Sequence, residues 1–99
     1  MNDNRQRFSS VWDALKDTPE ESENMKVRSE LMRSLQKRVK EWDVTQAEAA
    51  RKLGINQPRL NDLLKGRIQK FSLDALVNMA PSAQMHVHLT IEEDRPVMA

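Results

Sequence analysis

Between residues 27 and 42 the apolar positions fall at helical spacing. Val27, Leu31, Leu35, Val39 and Trp42 are separated by steps of four, four, four and three, which lines them along one stripe of a helix. The other side carries Lys26, Arg33, Lys37 and Lys40. Just upstream, "TPEE" at 18–21 is a start signal: Thr18 as cap, Pro19 at the first helical position and Glu21 three residues after the cap. The spacing predicts a first helix over roughly 19–42, and its acidic first turn suits the positive end of the helix dipole.

Three shorter segments follow, each with its own punctuation. In "DVTQAEAARKLG", Thr45 and Glu48 are spaced as a capping box, Ala47, Ala50 and Leu53 form the inward side, and Gly54 ends the helix where positive φ is needed. In "INQPRLNDLLKG", Asn56 caps, Pro58 sits in the tolerant first turn, Leu60, Leu63 and Leu64 face inward, and Gly66 terminates. "FSLDALVNMA" has Ser72 as cap, a Phe71–Leu76 pair spaced as a hydrophobic staple, and Pro81 as stop. The period then changes. In "QMHVHLTI", 84–91, Met85, Val87, Leu89 and Ile91 alternate with His86, His88 and Thr90, the signature of a half-buried strand. One strand makes no sheet, so it pairs either with the N-terminal segment or with its copy in a second subunit.

The ends read differently. "MNDNRQR" is polar, and "FSSVWDALKD" predicts a short helix capped by Ser9 or Ser10. Its Phe8, Val11, Trp12 and Leu15 are either core that packs back or an anchor for another protein. The expected organisation is an N-terminal arm with a short helix (1–18), a helical domain (19–83), a strand (84–91) and a tail (92–99). The fold class is mostly α, with four to five helices and a C-terminal strand.

Composition narrows the class. Ninety-nine residues make one small domain. With no cysteine there is neither disulfide nor thiolate metal site. The apolar runs are too short for a membrane span or a secretory signal, so a cytoplasmic location is the expectation. The net charge of +1 conceals a net −3 over 1–24, +7 over 25–70 and −3 over 71–99. A basic middle between acidic ends suits an anionic partner for the middle, although solvated helix faces would also account for it.

The spacing within 45–66 decides between these. Counting Gln46 as one, small Ala50 falls at five and Gly54 at nine, with Ala49, Leu53, Ile55, Leu60 and Leu63 at four, eight, ten, fifteen and eighteen. Ala50 lets the following helix approach, Gly54 makes the turn, and the apolar set buries both short helices against the long one. That is the helix-turn-helix pattern, whose second helix enters the major groove of double-stranded DNA. Gln57 can bond an adenine edge twice, Arg59 can reach guanine or a phosphate, and Pro58 can touch a thymine methyl. Gln46, at a helix N-terminus, can hold a phosphate. The candidate DNA-binding set is Gln46, Asn56, Gln57, Pro58, Arg59, Asn61, Asp62, Lys65 and Arg67, with Lys70 beside it. Asp62 is the anomaly, because a carboxylate near phosphates needs a cytosine amine or an internal partner.

This stretch resembles the helix-turn-helix of phage-repressor-like (XRE family) regulators, which reads "LTQAEAAxxLGxxQPRxSxLxxG". Here Val44 replaces the leading Leu and Asn61 the usual Ser. With "FSSVWDAL", "MKVRSELM", "KFSLDALVNM" and a terminal strand, the likeness extends over residues 8–91 and is similar to the HigA-type antitoxin subgroup. The resemblance implies a lambda-repressor-like DNA-binding domain. It further implies a homodimer that represses its own operon at a palindromic operator and binds a RelE-like ribonuclease toxin. In relatives the residues matching Gln46, Gln57, Pro58, Arg59 and Asp62 lie at the DNA. Pro58 stands where some repressors have a polar base-contacting residue. Phe8, Val11, Trp12 and Leu15 are expected to bind the partner protein, and Met85, Val87, Leu89 and Ile91 to form the dimer contact.

Other chemistry finds little support. His86 and His88 share a strand face but lack an evident third ligand, so no metal or cofactor is expected. No carboxylate pair, Ser-His-Asp arrangement or glycine-rich loop marks a catalytic site, and no enzyme is expected. Two alternatives to the antitoxin stay open: a stand-alone phage-type repressor, and a protein-interaction module with no DNA role.

Overall fold

Thr18 opens the first helix by accepting a hydrogen bond from the Glu21 backbone N–H at 3.1 Å, and α1 runs Pro19–Trp42. This is a computed structural model describing residues 18–94; Phe8, Val11, Trp12 and Leu15 lie outside the described residues. Among those described, α2 spans Gln46–Leu53, α3 Gln57–Leu64 and α4 Leu73–Met79, with 3-10 turns at Ile68–Lys70 and Pro81–Ala83. All four helix starts use the same device. Thr45, Asn56 and Ser72 each accept from the backbone N–H three residues on, at 3.2, 2.8 and 3.1 Å, satisfying donors that a helix start leaves orphaned.

The ends repeat a second device. Gly54 is left-handed at φ 75; its N–H bonds Arg51 O and the next N–H, of Ile55, bonds Ala50 O. This paired pattern is a Schellman cap. It recurs after α3, where Gly66 N–H reaches Leu63 O and Arg67 N–H reaches Asp62 O. After Pro81–Ala83, Gln84 N–H reaches Pro81 O and Met85 N–H reaches Ala80 O. The third instance places a non-glycine residue, Gln84, at φ 58.

The core is one cluster. From α1 come Leu31, Met32, Leu35 and Val39; from α2, Ala49, Ala50 and Leu53; from α3, Leu60 and Leu63. Phe71, Leu76, Met79 and Ala83 close it from the C-terminal side. The long helix is thus the wall against which the two short ones pack. Trp42, half-buried, has the Lys52 ammonium 4.9 Å from its ring centroid, a cation–π contact joining α2 to the end of α1.

One expectation needs correction, and one is not met within a single chain. Ala47 is exposed, and Ala49, Ala50 and Leu53 make the inward stripe of α2. At 100° per residue Ala47 lies roughly 110° round the helix from the centre of that stripe. The strand expected over 84–91 is not seen in the single chain: residues 85–94 have no regular secondary structure. Met85 and Val87 are half-buried against the core, whereas Leu89 and Ile91 are 60% and 85% exposed. A strand requires a neighbouring backbone to complete its hydrogen bonds, and no other strand occurs among the described residues.

Candidate nucleic-acid interface

The α2–turn–α3 unit is built from the two caps just described. Schellman closure at Gly54 ends α2 within one residue, and Asn56 restarts the chain as α3. A side chain added at Gly54 would meet nothing within 4 Å, so the glycine serves the positive φ rather than a close approach. Leu60 and Leu63, both fully buried, fix which face of α3 looks inward. Gln57 and Pro58 are left exposed at its N-terminal end, with Gln46 exposed at the start of α2 and Lys65 exposed beyond α3.

Most of the other predicted residues are engaged by the protein itself. Asn56 is exposed, but its Oδ1 already accepts from Arg59 N–H. Arg59 is half-buried: its guanidinium carbon lies 4.4 Å from the centroid of the Phe71 ring, and Nη1 donates to Lys70 O at 3.2 Å. Asn61 is half-buried. Asp62 finds the internal partner its position demanded, Arg67 Nη1 at 2.9 Å, with the two side chains 17% and 49% exposed. This pair sits at the two cap positions of α3 where an apolar contact is usual, so the ion pair takes that contact's place. Both charges keep access to solvent, and the pair orients more than it stabilises.

Two supporting residues were not among the candidates. Gln36 Nε2 donates to Leu63 O at 2.8 Å, capping a terminal carbonyl of α3 from α1. Arg28 Nη1 donates to both Ile68 O and Phe71 O at 3.2 Å, holding the turn that follows α3. Their signal was present: Arg28 and Gln36 stand four residues either side of buried Met32. A polar side chain bordering an apolar stripe is placed to serve backbone groups of the helix packed on it.

His86 and His88 are both exposed. No group of three metal-ligating side chains converges among the described residues. None of the described helices is long and apolar enough to cross a membrane.

A family model described as "Helix-turn-helix domain" matches residues 14–92. Among solved structures, one described as a candidate XRE family transcriptional regulator superposes with a TM-score of 0.68 at 26% sequence identity. The match covers 79% of this chain and 88% of that one. No protein of curated function matches the sequence.

Proposed function

The chain belongs to the helix-turn-helix domain family, and from that premise we propose that it is a sequence-specific DNA-binding transcriptional repressor whose α3 enters the major groove. The observation that carries this is the exposed pair Gln57–Pro58 at the N-terminal end of a helix whose opposite face, Leu60 and Leu63, is fully buried. The N-terminal residues of a recognition helix are the ones that reach base edges. Among the described residues the Gln57 side chain meets no hydrogen-bond partner, and its amide can read an adenine; Gln46 and Lys65 hold phosphates on either side. A gel-shift titration against DNA upstream of its own gene tests this. Gln57→Ala should weaken binding by about 1–3 kcal/mol at the cognate base pair and leave other sequences unaffected. Unchanged binding would remove α3 from the groove.

The finer reading is an autoregulating antitoxin that neutralises a RelE-like ribonuclease toxin, a binding protein rather than a catalyst. It is supported by the likeness to the HigA-type subgroup, by the apolar set Phe8, Val11, Trp12 and Leu15 in an acidic N-terminal segment, and by exposed Leu89 and Ile91. Pairing of residues 84–91 from two copies would cover those side chains and set two α3 helices about one DNA turn, ~34 Å, apart on a palindrome. Deleting residues 1–17 should abolish capture of the neighbouring gene's product while operator binding persists. A stand-alone repressor is the second reading, and a neighbouring open reading frame that is not toxic when expressed alone favours it. If the chain captures that product but binds no DNA, the interaction-module reading holds instead.

A further inference from the structure

Arg59 has the right residue type for reading a guanine, yet its surroundings give it another task. Its guanidinium carbon lies over the ring of Phe71, which is 1% exposed, and Nη1 donates to Lys70 O. From the other side Arg28 donates to Ile68 O and Phe71 O. Three carbonyls of the turn are thus met by two guanidinium groups, one from α3 and one from α1. The turn is also tied at its start, where Arg67 N–H bonds Asp62 O and its side chain pairs with Asp62. What this leaves outward are the exposed side chains of Gln69 and Lys70, together with the edge of the Arg67 guanidinium that its Nη1 contact with Asp62 does not use.

We propose that Arg59 is a positioning residue for DNA binding, holding the turn Ile68–Lys70 against α3 so that Arg67 and Lys70 meet the phosphate backbone beside the groove. This rests on the DNA-binding reading above. A guanidinium that reached for guanine would abandon both the Phe71 ring and the Lys70 carbonyl. Stacking on a ring while bonding a carbonyl at the edge requires a planar fork, which lysine lacks. Backbone contacts fix register and orientation but carry no sequence information. Loss of Arg59 therefore weakens binding to every sequence alike.

The test is a fluorescence-anisotropy titration with two duplexes, the DNA upstream of the protein's own gene trimmed to its footprint and a scrambled duplex of equal composition. Arg59→Ala and Arg59→Lys should weaken both by the same factor, roughly tenfold. The slope of log affinity against log salt should fall by roughly two, from Arg67 and Lys70. Phe71→Leu should act the same way although a buried ring cannot touch DNA. In an Arg67→Ala/Lys70→Ala background, Arg59→Ala should add less than a twofold loss, a coupling that general destabilisation would not produce. Thermal melts establish the folded fraction, and Arg59→Lys and Phe71→Leu carry the test if Arg59→Ala unfolds. A loss confined to one base pair of the specific duplex makes Arg59 a base reader and overturns the proposal. Additive losses make it an independent phosphate contact and overturn it equally. Failure of the DNA reading shows separately, as absence of binding by the unsubstituted chain.

Discussion

At single positions, conformation and partner decide what each side chain contributes. Gly54 has open space around it and φ 75, so Gly54→Ala should cost about 1 kcal/mol from left-handed strain alone, read as a lower midpoint in urea denaturation. A much larger loss would mean a clash where none is seen. Gln36 differs in kind. Its amide serves Leu63 O, and Gln36→Ala should destabilise by about 1 kcal/mol with unchanged contacts in the helix-turn-helix itself. Arg59 shows what residue type alone leaves open: its type suits a guanine or a phosphate, and the fold sets it on a ring and a carbonyl.

The helices are defined by their ends. Four caps of the same kind and three Schellman closures hold short elements that would not be stable alone, since α2 and α3 are eight residues each and isolated helices of that length are marginal. The caps were readable because Thr18, Thr45, Asn56 and Ser72 precede apolar spacing at the right offset. Gln84 is not legible in the sequence as a third closure, because only its backbone bonds and φ 58 identify it. Gln84→Gly should raise stability by roughly 0.5–1 kcal/mol, seen as a higher melting temperature. A decrease would mean that the Gln84 side chain makes a stabilising contact outweighing the backbone strain.

For the molecule as a whole, α1 joins everything else. Leu35 is fully buried at the centre of its stripe, so Leu35→Ala should cost about 2–5 kcal/mol. That is a large share of the total stability of a small domain, and the loss of DNA binding should track the loss of fold in a combined melt and titration. The proposed dimer is tested by truncation after Ala83: if sedimentation finds the shortened chain still dimeric, pairing of residues 84–91 is not the contact. The sequence by itself determined the four helices, their caps and the helix-turn-helix spacing, because helical period, cap chemistry and positive φ are local properties legible within a few residues. Only the tertiary structure decided that Arg59 serves Phe71 and Lys70, that Asp62 pairs with Arg67, and that Arg28 and Gln36 on α1 finish the turn and α3. These depend on which backbone carbonyls of distant segments come within hydrogen-bond reach. The terminal alternation lies between the two. Its period is local, but a strand is completed by a second backbone, and residues 85–94 of one chain meet none among those described.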